Sequence, residues 1–420
     1  MLGAGTVGSQ IARLLVDNKA DLASRAGAEL ELVKVAVKNI NTKRVGIASS
    51  LLTDDAASVV NDPNIDLIIE VMGGISPAKE LILAALKNGK SVVTANKALL
   101  AKDGATLYEA AAKANVDLYY EAAVAGAIPI LRPLRESLVG DHVVRIMGIV
   151  NGTTNYILTK MDEEGTAFKD ALKQAQELGF AEADPTADVE GIDAADKAAI
   201  LAGLAFHSRV TDKDVYREGI SKITAADVKV AKTMEMVIKL LAITELTAEG
   251  EISVRVHPAL ISRNHPLAAV RESFNAVFVE AKSAGQMMFY GRGAGGEPTA
   301  SAVLGDLVAV ARHKVSGGVG PKESDYASLK IAPIGEIKTR YLIRLNVADK
   351  PGVLESVAHV FASHSVSIQT VRQSGAGDKA ELIVMTHHSS ESALSATVKD
   401  LSKLSAVSDV ASVLRVEGVI

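Results

Sequence analysis

The first 120 residues alternate short apolar strands with helical stretches, and no other feature limits the fold so strongly. Strands joined by helices in this way form a parallel sheet with helices packed on both faces. The apolar spacing predicts strands at residues 30–37, 67–71, 91–94 and 116–120, with helices at 9–17 and 78–88. We therefore expect an α/β domain over residues 1–128, whose ligand crevice lies where the strands end.

A glycine motif stands at the start of this domain. Gly3, Gly5 and Gly8 form the pattern GxGxxG with Thr6 and Val7 between them, and an amphipathic helical pattern follows. Glycines let a backbone approach a pyrophosphate, and the amino end of a helix supplies N–H donors. The motif favours a dinucleotide site of the Rossmann type, although a glycine-rich turn without a ligand is the simpler alternative. Only two residues precede Gly3, so the first strand is expected to be truncated.

The loop after the second predicted strand bears on the choice of cofactor. Folds that prefer NAD usually place an acidic residue here to bind the ribose hydroxyl. This chain instead has Lys38 and Asn39, followed by Lys43 and Arg44. Cations at this place favour a 2′-phosphate, and hence NADP over NAD. A solvated basic loop would explain the same residues, so NAD stays open.

Composition excludes several classes of protein. The net charge is −5, which argues against general nucleic-acid binding because that needs a basic surface. The chain has no cysteine, so disulfides, thiolate catalysis and cysteine-bound metals are excluded. Its apolar runs are too short to span a bilayer, and its first residues lack the pattern of a secretion signal. We expect a cytoplasmic protein that binds neither nucleic acid nor membrane.

Two further domains are predicted after residue 128. Residues 129–315 are expected to form an α+β domain, with strands at 143–150, 251–257 and 276–281, helices at 170–178 and 193–207, and a helix near 298–314 that can pack back on the first domain. Residues 316–338 are predicted to be a linker, because residues 316–328 are rich in glycine, serine and charge. Residues 339–420 follow the order βαββαβ, with strands near 339–348, 367–373, 379–386 and 411–416, which is typical of a ferredoxin-like domain.

The helix predicted at residues 193–207 is apolar except for a small charged cluster. Asp193 and Lys197 are four residues apart and therefore share a face. An exposed salt bridge would explain the pair, but on so apolar a helix we expect it to face a cavity, where charge is costly unless it is used. Lys97 follows the strand that ends at Thr94, which directs it toward the ligand crevice. An ordinary surface lysine is the alternative.

Six segments resemble homoserine dehydrogenases in order and spacing, and the resemblance extends over nearly the whole chain. The segments are residues 70–74 (EVMGG), 94–97 (TANK), 121–129 (EAAVAGAIP), 151–156 (NGTTNY), 182–197 (EADPTADVEGIDAADK) and 291–306 (GRGAGGEPTASAVLGD). The resemblance implies a reversible NAD(P)-dependent reduction of L-aspartate 4-semialdehyde to L-homoserine, in the biosynthesis of threonine, methionine and isoleucine. It also implies that the middle domain binds the substrate and pairs subunits into a dimer or tetramer.

The resemblance further implies roles for single residues. Lys197 would donate the proton, Asp193 would orient that lysine and hydrogen-bond the substrate, Glu182 would bind the substrate ammonium, and Lys97 would be a second cation near the carbonyl. Beyond the glycine motif and Lys38, the residues expected to contact the cofactor are Thr94, Lys97, Gly179 and Gly295.

Two accessory sites are implied as well. A monovalent cation, expected to be Na⁺, would bind Glu121, Val124, Gly126 and Ile128, through backbone carbonyls at the apolar positions. Residues 349–354 (DKPGVL) resemble the start of an ACT domain, an amino-acid-sensing module, which implies feedback regulation with threonine as the effector. A structural or dimerising appendage is the alternative.

Two other functions compete with this one. Another dehydrogenase with an ACT tail, such as a phosphoglycerate dehydrogenase, would need a catalytic His–Glu pair, whereas the cluster here is Glu–Asp–Lys. His257 and His265 are each followed by proline and are predicted to be turn residues rather than zinc ligands. A non-enzymatic regulator with an inactive nucleotide fold is the third hypothesis, and the truncated first strand favours it.

Overall fold

The computed structural model describes residues 1–375 and 380–418. In the amino-terminal domain, short strands alternate with helices. The helices are α1 (Thr6–Asp17), α2 (Lys19–Ala26), α3 (Ala56–Asn61), α4 (Ala78–Lys87) and α5 (Lys97–Ala114); the strands are β1 (Val35–Ala36), β2 (Leu52–Thr53), β3 (Leu67–Glu70), β4 (Ser91–Thr94) and β5 (Leu118–Tyr119).

The strands of this domain run parallel in the order β2, β1, Leu2, β3, β4, β5. The Leu2 N–H donates to the Ile69 carbonyl at 2.7 Å, and the Leu2 carbonyl accepts from the Val71 N–H at 2.9 Å. Residues 1–3 therefore fill the position of the first strand, short as it is, and the parallel sheet is confirmed. The prediction of a strand over residues 30–37 was too long, since only Val35 and Ala36 are paired in β1.

The middle domain is built on a mixed sheet with helices on one face. Its helices are α6 (Gly152–Glu164), α7 (Phe168–Glu177), α8 (Thr186–Val189), α9 (Ile192–Phe206), α10 (Ala225–Thr233) and α11 (Gly296–Val315); its strands are β6 (Val143–Ile149), β7 (Tyr216–Arg217), β8 (Met236–Leu246), β9 (Ile252–Ser262), β10 (Phe274–Ala281) and β11 (Gly285–Arg292). The main strand order is β11, β10, β6, β8, β9, and α6, α9 and α10 pack against β8. The sequence predicted neither β8 nor β11.

His257 corrects one of the turn predictions. It lies inside β9 and is fully buried, although Pro258 follows it. Proline has no N–H to donate to a neighbouring strand, but this edge of β9 needs none at residue 258. Residues 255–256 pair with β7, and pairing with a second strand begins only at residue 259. His265 does lie in a turn, where its ring accepts the Leu267 N–H at 3.1 Å. No cluster of His, Cys, Asp and Glu suited to a metal occurs among the described residues.

The carboxyl-terminal domain has the expected βαββαβ order. Its elements are β12 (Lys338–Val347), α12 (Val353–Ser363), β13 (Ile368–Ser374), β14 (Ala380–Thr386), β15 (Ser389–Ser390), α13 (Glu391–Leu401) and β16 (Val407–Val416). The strand order β16, β12, β14, β13 confirms the ferredoxin-like arrangement. The strand predicted at 379–386 is observed from residue 380, while residue 379 lies outside the described residues. β16 also pairs in parallel with β9, which joins the two sheets and was not predicted.

The segment predicted as a linker is packed against both preceding domains. Its Gly320 N–H donates to the Asp117 carboxylate of the amino-terminal domain at 2.8 Å, and residues further along it contact the middle domain. Glu323 forms an ion pair with Arg135 at 2.7 Å, and Tyr326 stacks on His207 with ring centres 4.8 Å apart. Ile331 then forms a bridge to Ile252 in β9. The segment lacks helices and strands over residues 316–330, as expected, but it is not a free tether.

α11 returns the chain to the amino-terminal domain. It packs along α1, and Val303, Leu307 and Val310 share a buried cluster with Ile11 and Leu15. This contact closes one side of the crevice described below. The boundaries proposed at residues 128, 315 and 338 themselves stay predictions. None of the described helices has the length and apolar character needed to cross a membrane.

Candidate active site

A cleft of about 2330 Å³ lies between the amino-terminal and middle domains. On one side, residues 71–73 and 95–98 line it, directly after β3 and β4, where parallel sheets bind ligands. On the other side it is lined by the start of α9, by residues 151–153 and 178–182, and by residues 292–295. The topology therefore brings Val7 of the glycine motif, Lys97 and the charged pair of α9 to one crevice, while Gly3, Gly5, Thr6 and Gly8 are not among the residues that line it.

The glycine turn has the geometry that a pyrophosphate needs. Gly3 has a φ of +95°, and a Cβ there would lie 2.9 Å from the backbone of Met72. A Cβ on Gly8 would lie 2.6 Å from the Gly3 carbonyl oxygen, whereas one on Gly5 would meet nothing within 4 Å. Gly3 and Gly8 thus close the turn, and Gly5 leaves space above it. The first turn of α1 carries no acidic side chain, so its N–H groups and positive dipole end can face an anion.

Three charged side chains meet at the centre of the cleft. Asp193 accepts from Lys197 through Oδ2 at 2.6 Å and pairs with Lys97 through Oδ1 at 2.5 Å. Lys197 also donates to the Val150 carbonyl at 2.6 Å. Lys197 and Asp193 are only 7% and 8% exposed, whereas Lys97 is partly open to the cleft. A lysine ammonium has three donors, so Lys197 keeps one N–H without an acceptor among the described residues.

The two lysines are electrostatically unequal. Burial lowers the pKa of Lys197, and the charge of Lys97 adds to this effect, so the pKa lies below its ordinary value although Asp193 opposes the change. Burial also acts on Lys97, but there Asp193 outweighs it and the pKa is raised. Burial alone would raise the pKa of Asp193, yet the two ammonium groups hold it well below its usual range. Lys197 is therefore the lysine that releases its proton more readily.

Asn151, Asp188 and Asp196 line the cleft close to the charged pair, and the sequence did not mark them as site residues. Asn151 caps α6 by accepting the Thr154 N–H, and its amide donates to Asp193 at 3.0 Å and to Asp188 at 2.6 Å. Asp196 lies one helical turn from Asp193, and burial together with the charge of Asp193 raises its pKa to about 6. Asparagine before an apolar helix is a recognisable capping signal, which could have marked Asn151.

The other predicted site residues lie in different surroundings. Gly179, Gly295 and Val7 line the cleft, as does Glu182, whose carboxylate has no hydrogen bond or ion pair within the described residues. Thr94 does not line it. Its hydroxyl donates to the buried Glu70 carboxylate at 2.5 Å, and Glu70 also accepts the N–H groups of residues 72 and 73. Thr94 thus helps to hold the turn at residues 70–73 through Glu70, and its role at the cofactor stays a prediction.

The basic loop after β1 approaches the glycine turn through a residue other than Lys38. Lys38 is exposed and does not line the cleft. Arg44 donates to the Ala4 carbonyl at 3.3 Å and to the Asn39 and Thr42 carbonyls at 2.9 and 2.8 Å. These contacts hold a guanidinium beside the second residue of the glycine motif.

The loop proposed to bind a cation is buried at the edge of the cleft. The Glu121 carboxylate accepts the N–H groups of Ile130, Leu131 and Arg132 at 2.6–2.8 Å. The carbonyls of residues 124, 126 and 128 accept no hydrogen bond from any residue in the described ranges. All three residues are buried, and an unpaired buried carbonyl costs about 1–3 kcal/mol. The loop therefore offers oxygen ligands of the kind that hard cations take.

Comparison with known proteins covers all three domains. Residues 3–121 match the family "Homoserine dehydrogenase, NAD binding domain", residues 129–308 match "Homoserine dehydrogenase", and residues 341–406 match "ACT domain". The homoserine dehydrogenase of Mycobacterium bovis is 55% identical over 428 residues, which cover 100% of this chain and 97% of that protein.

Solved structures agree with this comparison. A homoserine dehydrogenase from Thiobacillus denitrificans aligns with a TM-score of 0.92 and 40% identity, covering 99% of this chain and 97% of that one. A hyperthermophilic archaeal homoserine dehydrogenase in complex with NADPH aligns with a TM-score of 0.60 and 28% identity, covering 74% of this chain and 95% of that one. With the nucleotide turn, the charged cleft and the domain order already in place, the chain belongs to the homoserine dehydrogenase family of NAD(P)-dependent oxidoreductases and carries a carboxyl-terminal ACT domain.

Proposed function

We propose that the chain catalyses the reversible reduction of L-aspartate 4-semialdehyde to L-homoserine, with Lys197 as the proton donor. The observation that carries this proposal is the third N–H of the buried Lys197, which is left free on the wall of the cleft after Val150 and Asp193 have taken the other two. A free donor on a fixed ammonium suits a carbonyl oxygen that gains negative charge.

The reaction needs a hydride, which the nicotinamide cofactor supplies when it is bound. Lys197 stabilises the developing oxyanion and gives it a proton, which the lowered pKa of this lysine favours. Asp193 keeps the ammonium in place and balances its charge. Lys97, bound to the other oxygen of Asp193, supplies a second positive charge to the same oxyanion. In the oxidation of homoserine, neutral Lys197 accepts the hydroxyl proton.

The amino-acid end of the substrate would lie against the acidic wall of the cleft. Glu182 is exposed on this wall with its carboxylate unpaired among the described residues, so it can bind an ammonium without losing another contact. Asp188 lies on the same wall and accepts from Asn151. These carboxylates distinguish an amino-acid aldehyde from a simple aldehyde.

We assign the cofactor as NADP in preference to NAD. The supporting observation is Arg44, whose guanidinium is held beside Ala4, next to the turn that receives the pyrophosphate. No acidic side chain follows β1 before Asp54 to bind a 2′-hydroxyl. An arginine pairs with a phosphate through charge-assisted hydrogen bonds, which a free ribose hydroxyl cannot match.

We also assign Na⁺ to the loop of Glu121, Val124, Gly126 and Ile128, supported by the buried carbonyls that lack hydrogen-bond donors. The ion would fix the junction of the two domains and take no part in the chemistry. Threonine feedback through the ACT domain, a dimer or tetramer paired through the middle domain, and a cytoplasmic place in threonine, methionine and isoleucine synthesis complete the proposal. Stable activity at millimolar threonine would remove the feedback role.

The direct test replaces Lys197 by methionine. We expect kcat to fall by about 10²–10⁴-fold in both directions, the usual contribution of a general acid, with unchanged cofactor affinity. Lys239→Met is the matched control, because Lys239 is also a buried lysine with a lowered pKa but lies outside the cleft. That variant should lose stability and keep its kcat. A Lys197→Met enzyme with nearly full activity would refute the assignment.

A further inference from the structure

The ACT domain is joined to the catalytic sheet by a buried group of charges. Arg415 lies on β16, where this strand pairs with β9, and its side chain is only 7% exposed. Within its own domain, Arg415 pairs with Glu391, which also accepts from the Tyr341 hydroxyl at 2.5 Å. A buried ion pair adds little net stability compared with apolar residues of the same volume, so a role in fixing geometry explains it better.

Arg415 reaches across the domain junction with its remaining donors. Its Nη1 pairs with Glu218 Oε2 at 2.9 Å, and its Nη2 donates to the Tyr216 hydroxyl at 3.1 Å. The Tyr216 hydroxyl in turn contacts Glu218, and the guanidinium lies 5.1 Å from the centre of the Tyr216 ring. The Glu218 N–H donates to the Val256 carbonyl at 2.8 Å. Glu218 is thus held by the ACT domain on one side and by β9 on the other.

Residues 219–221, directly after Glu218, are in contact with residues 189–190, which lead into α9. A Cβ on Gly219 would lie 2.3 Å from the Val189 carbonyl oxygen and 2.6 Å from the Glu190 Cα, so the two backbones are in close contact. The Ile220 N–H donates to the Val189 carbonyl at 2.7 Å, and Ser221 hydrogen-bonds Glu190. These contacts set the position of residues 189–190.

Gly191 follows, and it starts α9. It adopts a φ of +73°, and a Cβ there would lie 3.2 Å from Val256 and 3.5 Å from the Glu218 carbonyl oxygen. Asp193 comes two residues later and Lys197 one turn after that. The path from Arg415 to the charged cleft therefore runs through direct contacts only.

We infer that Arg415 and Glu218 are positioning residues through which the ACT domain holds the amino-terminal end of α9, and with it Asp193 and Lys197. The inference rests on the roles proposed above for these two residues. It assigns the ACT domain a constant mechanical part in catalysis, whether or not an effector is bound. A displacement of about 1 Å at a reacting group can cost roughly 100-fold in rate, so a partial loosening should be measurable.

The test compares Glu218→Ala with Glu218→Gln and with Glu245→Gln in the full chain. Glu245 is the matched control, because it pairs with Arg145 and Arg255 at the same junction but lies on β8, away from the contact with residues 189–190. We expect Glu218→Ala to lower kcat by about 3- to 10-fold with little change in the KM for NADP. Glu218→Gln keeps an acceptor for Arg415 and should recover most of the loss. Glu245→Gln should lower the melting temperature without lowering kcat.

Hydrogen exchange supplies a readout that does not depend on the proposed chemistry. Glu218→Ala should speed amide exchange in residues 189–196 and leave residues 236–246 unchanged. Unchanged exchange and kcat in Glu218→Ala would overturn the inference, as would an equal loss of kcat in Glu245→Gln. If Glu218→Ala does not fold, the same exchange comparison on Tyr216→Phe, which removes the hydroxyl that contacts both Arg415 and Glu218, decides the question. Faster exchange together with an active Lys197→Met enzyme would keep the mechanical link and refute the proposed chemistry.

Discussion

Replacement of Asp193 by asparagine should shift the pH dependence of the reaction to lower pH. At the 2.6 Å separation of Lys197 Nζ and Asp193 Oδ2, an effective dielectric constant of about 20 gives an attraction of roughly 6 kcal/mol, which is an upper bound on how far the carboxylate stabilises the protonated lysine. The asparagine oxygen still accepts a hydrogen bond and water can enter, so the pKa of Lys197 should fall by only part of what this attraction allows.

The two directions of the reaction should respond in opposite ways. Reduction needs protonated Lys197, so its kcat falls as pH rises through the pKa, and in Asp193→Asn this fall should come at lower pH. Oxidation needs neutral Lys197, so its rise with pH should also come earlier. The assay is kcat against pH in both directions, on the variant and on Asp188→Asn, whose carboxylate is less directly coupled to Lys197 and should cause a smaller shift. The reasoning would be refuted if the fall in kcat for reduction and the rise in kcat for oxidation stayed at the same pH in Asp193→Asn, or moved to higher pH.

Other predictions concern the cofactor, the cation and stability. Arg44→Ala should raise the KM for NADP about 10- to 100-fold more than the KM for NAD, because it removes a hydrogen bond between charged groups. Equal changes in the two KM values would contradict the assignment. Replacing Na⁺ by a bulky organic cation should lower the melting temperature if the buried carbonyls bind an ion. In the folded chain the pKa of Asp196 is raised to about 6, above its value in the unfolded chain. Its contribution to stability is therefore fully present when the pH is below the pKa of the unfolded chain, and it is lost as the pH rises through about 6. Asp196→Asn should therefore melt higher than the native chain at pH 7 and equally near pH 4.

The sequence predicted the structure best where a feature depends only on the spacing of residues close together in the chain. The glycine motif, the βαββαβ order and the i, i+4 pair on an apolar helix each follow from local geometry, and all three occur in the structure. The strand over 30–37 was overextended because apolar alternation continues beyond the two residues that find a partner.

The remaining features depend on contacts distant in sequence. β8 is buried along residues 236–244, so it has no alternation that marks a strand. Pro258 made a turn the natural prediction for His257. Only the folded structure shows that β7 pairs with β9 before this proline and β16 pairs with β9 after it, so that the strand continues through both residues. The partners of Arg415 lie about 200 and 24 residues away, and no local pattern indicates that they meet.

The most direct test of the account is a crystal structure with NADP and homoserine bound. We predict that Lys197 Nζ lies within about 2.6–3.2 Å of the homoserine hydroxyl oxygen, with the Lys197–Asp193 contact retained. A Lys197 ammonium more than about 5 Å from that oxygen, with another acid or base in its place, would contradict it.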